Sequence, residues 1–92
     1  MAKFQERKAD QINHYLVTGH LEGESENYTR YVIAPMVIDA EDKFKKHMVA
    51  VLMLKHEESK ARIMVDLVVQ ISEAPVAIYT EDGVEENPEP LQ

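Results

Sequence analysis

Residues 61–71, Ala-Arg-Ile-Met-Val-Asp-Leu-Val-Val-Gln-Ile, place Ile63, Val65, Leu67, Val69 and Ile71 on one side of an extended chain and Arg62, Asp66 and Gln70 on the other. Apolar residues at every second position are the signature of a β-strand with one face buried. The pattern predicts Leu67 in the core and the Arg62, Asp66 and Gln70 row in solvent. The preceding apolar run, Met48-Val49-Ala50-Val51-Leu52-Met53-Leu54, does not alternate. As a strand it would be apolar on both faces and would need a cover on each.

Two readings of that run are open. As a strand, 46–56 pairs with 61–71 through the polar turn Glu57-Glu58-Ser59-Lys60, because the two apolar stretches have matched lengths. The turn lacks the Gly or Asn that tight hairpins favour. As a helix, Asp39 caps a segment starting at Ala40, and Phe44, Met48, Val51 and Leu52 form its apolar stripe. The strand is the preferred reading. It leaves one face of the run to be covered by a second copy of the chain, through Val49, Val51 and Met53. A helix would instead cover the sheet within one chain.

The rest of the chain reads as mostly β. Ala2 to about Gln11 suits a short helix with few apolar contacts, Phe4, Ala9 and Ile12. Ile12–Leu21 and Tyr28–Ile38 read as strands around the polar run Glu22–Asn27, with Pro35 marking an edge or a bulge. Val76–Tyr79 reads as a short strand ending at Glu81-Asp82-Gly83, and residues 84–92 as a disordered acidic tail. The expected architecture is therefore α+β and mostly β. It has a short N-terminal helix, an antiparallel meander of four to five strands within a single domain over 1–83, and the tail at 84–92. The alternative is a ββαββ order with residues 40–58 helical.

Charge is distributed unevenly. The net charge of −7 divides into −1 over residues 1–72, which carry ten basic and eleven acidic side chains, and −6 over 73–92, which carry no basic one. There is no cysteine, so disulfides, thiolate catalysis and thiolate metal sites are excluded. No apolar stretch approaches the roughly 20 residues of a membrane helix, and no apolar segment follows the basic residues at the N-terminus. The expectation is a cytoplasmic protein that does not enter a membrane.

Motifs for chemistry are weak. His14 and His20 share a strand face but lie roughly 20 Å apart along it, too far to share an ion. Glu41-Asp42-Lys43 and Glu58-Ser59-Lys60 resemble metal-nuclease triplets, at a frequency that this composition produces by accident. Only three glycines are present and none form a phosphate loop. Nucleic-acid binding would draw on Tyr15, Tyr28, Tyr31 and Phe44 for stacking, and on the single basic cluster Lys43, Lys45 and Lys46. No excess positive charge supports it. The sequence reading is a non-enzymatic, self-associating acidic adaptor or inhibitor, a homodimer without cofactor or metal. Glu81, Asp82, Glu85, Glu86 and Glu89 would engage a basic protein surface. In size and charge, though not by family, it is similar to virus-encoded inhibitors and accessory proteins. The alternatives are a single-stranded nucleic-acid-binding β-domain with a partner-recruiting tail, and a small divalent-metal enzyme.

Overall fold

The first two strands are built as the alternation dictates. In the computed structural model, which describes residues 12–55 and 57–92, β1 (Asn13–Leu21) and β2 (Asn27–Ala34) form an antiparallel hairpin running from His20 opposite Asn27 to Asn13 opposite Ala34. Odd-numbered β1 residues Tyr15 and Val17 and their β2 neighbours Val32 and Ala34 are buried on one face. The helix expected over 2–11 lies outside the described residues.

β2 ends before Pro35, which has no N–H to donate to a ladder. The chain then turns into helix α1 (Val37–Val51), and this overturns the strand reading of 46–56. Ala40, Phe44 and Met48 recur every fourth residue, so one stripe meets the sheet, and each is essentially fully buried. Asp39 is not the cap. It lies in the first turn, where its carboxylate complements the positive end of the helix dipole, and the extended residue Met36 precedes the helix with no side-chain cap. At the other end Met53 adopts a left-handed φ of 58°, its N–H bonds Ala50 O, and the Leu54 N–H bonds Val49 O. This pair of bonds is a Schellman ending. It brings Val49, Leu52 and Leu54 against the core. The two-sided apolar run is therefore a helix end with its turn, which needs apolar residues at positions that do not alternate.

No hairpin joins 46–56 to 61–71. A 3-10 helix (Glu57–Arg62) leads into β3 (Ile63–Ile71), which pairs antiparallel with β1, giving the sheet order β2-β1-β3. The register slips between Thr18 and Gly19: Thr18 faces Leu67, Gly19 faces Val65, and Asp66 is the extra residue. This bulge reverses the parity of β3. Ile63 and Val65 lie on the helix side, opposite Leu21 and Gly19, and so does Val68, opposite Val17. Leu67, Val69 and Ile71 pair with Thr18, Leu16 and His14 on the far side. Leu67 is thus 57% exposed and Val69 41%, which corrects the expectation of a single buried face. Gly19 is buried at the slip, and a Cβ there would meet the Phe44 ring edge at 2.8 Å and collide with the Met64 carbonyl. The close approach of helix and bulge depends on its missing side chain.

β4 (Ala77–Thr80) and β5 (Gly83–Glu86) form a separate hairpin whose turn is closed by Gly83 at φ 120°. β4 packs on β2 and buries Ile78. Where the sequence suggests a disordered tail, residues 83–86 are therefore paired. Leu91 also runs parallel beside β2, bonding Ile33 N–H and Tyr31 O at 2.9 Å each. The result is a small, mostly β α+β fold with antiparallel sheets, in the order ββαβββ, which has one more strand after the helix than the ββαββ alternative and its helix at 37–51 rather than 40–58. β3 and β2 are the two edges of the three-stranded sheet; among the described residues no segment pairs with the outer side of β3, whereas the outer side of β2 meets Leu91 in an isolated bridge.

Candidate functional site

The most connected polar site joins three elements. Arg30 is on β2, on the helix side of the sheet since it pairs with Val17. Its Nε donates to His47 Nε2 at 3.0 Å on α1, and its Nη2 donates to both carboxylate oxygens of Glu81 at 3.2 and 3.0 Å, in the β4–β5 turn. Nη1 donates to the Thr29 carbonyl at 3.0 Å, and the guanidinium lies 6.0 Å from the Tyr28 ring. The Arg30 side chain is only 12% exposed, so its charge is balanced locally by Glu81.

Each titratable member is shifted by its neighbours. Burial and the Arg30 charge lower the His47 pKa, against a smaller opposing pull from Glu81, so the imidazole is neutral at pH 7. Burial raises the pKa of Glu81, but its own backbone N–H and the Arg30 hydrogen bond and charge outweigh that and lower it. Since Arg30 donates to Nε2, the neutral His47 carries its proton on Nδ1.

That ring borders an open concavity of about 420 Å³, lined by Lys43, Lys46, His47, Leu91 and Gln92. The lysines come from the basic cluster visible in the sequence, because residues 43, 46 and 47 fall on one side of a helix. Lys43 also donates to the Ile33 carbonyl at 2.9 Å, and Lys46 pairs with Asp42 at 3.3 Å. Besides Leu91 and Gln92, the lining side chains are two lysines and a histidine, so the space is bordered by positive charge on one side and by the apolar Leu91 on another.

The second candidate surface is the far side of the sheet. His14 bonds the Tyr31 hydroxyl at 2.8 Å and stacks on its ring, Thr18 bonds Thr29 at 3.0 Å, and His20 Nδ1 meets the bulged Asp66 at 2.8 Å. These pairs satisfy the polar positions. Leu67 and Val69 remain exposed.

The other residues singled out in the sequence are placed as follows. Val49 packs on the core, Val51 is exposed at the helix end, and Met53 is exposed in the turn. They lie on a helix end rather than a two-faced strand, which removes the reason for assigning them to self-association. Glu81 is held by Arg30, while Asp82, Glu85, Glu86 and Glu89 are exposed. Arg62, Asp66 and Gln70 do not converge, since Asp66 pairs with His20 and Gln70 with Asn13. The two acidic-lysine triplets are joined through Asp42, which Lys60 and Lys46 contact at 2.8 and 3.3 Å, and the lysine hydrogen bonds lower its pKa. Such a carboxylate is held ionised as a structural anchor. Among the described residues no three His, Asp or Glu side chains are grouped to hold a metal ion. Tyr15, Tyr31 and Phe44 are buried and unavailable for base stacking. No described helix is long and apolar enough to cross a membrane.

The Arg30, His47 and Glu81 set left no trace in the sequence, because its members lie 17 and 34 residues apart on three elements with no common spacing. Comparison of the chain with protein-family models, curated proteins and solved structures gives no match.

Proposed function

We propose that this protein is a non-enzymatic interaction protein that self-associates through β3, pairing the sheets of two copies across a two-fold axis. The observation that carries this reading is an edge strand nine residues long whose outer side has no partner among the described residues, with Leu67 and Val69 exposed on the side away from the helix. Such an edge offers free N–H and C=O groups and apolar side chains together. The occupant that suits it is the same strand of a second copy. With the axis at Val69, antiparallel pairing sets Leu67 opposite Ile71 of the second copy and Val69 opposite Val69. The apolar row is thus self-complementary, as an isologous interface requires. The bulge at Asp66 limits this pairing to residues 67–71 and leaves the Asp66 carboxylate at the rim.

Light scattering on the eluting protein at tens of micromolar is expected to give twice the chain mass, and Leu67→Asp to give a folded monomer by circular dichroism. A monomer in the parent chain at that concentration overturns the proposal, as does an unchanged dimer in the variant. The exposed Asp82, Glu85, Glu86 and Glu89 are the residues proposed to meet a basic partner. A lysine-rich peptide is expected to bind with an affinity that falls steeply with salt, and an affinity insensitive to salt would remove this part of the reading.

A further inference from the structure

We propose that the concavity between α1 and Leu91 binds the phosphate group of a small organic phosphate. Lys43, Lys46 and His47 line one space of about 420 Å³ together with Leu91 and Gln92, so two cationic side chains and an imidazole border it. They sit on one helical face because their spacing is three and four residues. Lysine suits phosphate as a point charge, with three donors that need not match a planar acceptor. Lys43 uses one of its three on the Ile33 carbonyl, which holds the side chain in place and leaves two.

His47 supplies the element a general basic patch lacks. Arg30 Nε occupies Nε2 and fixes the tautomer, and Arg30 is itself fixed by Glu81 and the Thr29 carbonyl. Nδ1–H is then a neutral donor held in orientation, with no acceptor among the described residues. Burial and the Arg30 charge keep the ring from protonating, so it donates one directed hydrogen bond without adding charge. Leu91, tied to β2 by two backbone hydrogen bonds, gives the opposite wall an apolar surface. The space exceeds that of a lone phosphate, and the wall suits the carbon skeleton that carries one. A chain of net charge −7 repels anions at long range, so the selectivity must come from this local donor set.

The test is a titration of the ¹⁵N-labelled full chain, read by amide chemical shifts, with inorganic phosphate and with phenyl phosphate against chloride at matched ionic strength. Saturable shifts confined to Lys43, Lys46, His47 and Leu91 are expected, with phenyl phosphate the tighter ligand. Lys46→Gln and, separately, His47→Gln should each weaken binding about tenfold, the scale of one hydrogen bond to a charged group. Lys46 is the safer variant for folding because its side chain is 66% exposed. Shifts that do not saturate, that chloride reproduces, or that persist unchanged in Lys46→Gln overturn the site. Equal affinity for the two phosphates overturns the organic ligand in favour of free phosphate.

Discussion

The two faces of the central sheet are made from the same alternating strands and have opposite fates. On the helix side Tyr15, Val17, Val32, Ala34 and Ile63 meet Ala40, Phe44 and Met48, and all are nearly inaccessible. On the far side the polar positions are matched in pairs, His14 with Tyr31 and Thr18 with Thr29, while Leu67 and Val69 stay exposed. The difference lies in what covers each face and in the slip at Asp66, which moves half of the apolar row of β3 from one face to the other. A strand pattern therefore says that residues share a side, but a single bulge decides which side.

This contrast can be broken at its strongest point first. Phe44→Ala removes the largest fully buried side chain of the helix face and should cost about 3–5 kcal/mol by chemical denaturation, a large fraction of the stability of a domain this size. A loss below about 1 kcal/mol would mean that the helix does not close the core. Leu67→Asp, on the far face, should cost a single folded chain less than about 1 kcal/mol while removing self-association. The alternation read without the bulge expects the reverse for Leu67, namely collapse of the fold around a buried charge. Equal losses at residues 44 and 67 would erase the distinction between the faces.

The smallest expected effect is on pH dependence. The folded pKa of His47 is below its ordinary value of 6.5, so its contribution is complete above pH 6.5 and is lost as pH falls through the folded value. Denaturation midpoints should therefore decline gently on acidification in that window, and His47→Gln should flatten the decline. Asp42 and Glu81, held below their ordinary values of 3.8 and 4.5, produce a separate loss at lower pH that the His47 variant leaves intact. A decline unchanged in His47→Gln would assign the upper window to another group.

Much of the β-structure was legible because its residues alternate locally. The hairpin of β1 and β2, its turn at 22–26 and the strand at 63–71 all follow from period-two patterning and polar breaks. The run at 48–54 was misread because apolar residues there serve a helix face and then a Schellman turn within a few positions, so neither period persists long enough to decide. The absence of Gly or Asn in 57–60 was the correct signal against a hairpin. The tail was misread for a related reason: β5 is held by β4 and Leu91 by β2, and such partners are invisible to composition. The basic half of the candidate site was legible as Lys43 and Lys46 in one cluster. Its neutral donor was not, because His47 is given its role by Arg30 and Glu81 from distant parts of the chain.

The sequence by itself determined the extended segments at 13–21, 27–34, 63–71 and 77–80, the acidic character of the last twenty residues, and the absence of thiol chemistry. These are properties of composition and of neighbouring residues, and they do not depend on what packs against what. Only the tertiary structure decided the pairing partner of β3, the face on which Leu67 and Val69 lie, and the gathering of Arg30, His47 and Glu81. Each of those is set by contacts between residues far apart in the chain. There, one extra residue opposite Gly19 and the missing side chain of Gly19 itself decide which surface is core and which remains free to meet a partner.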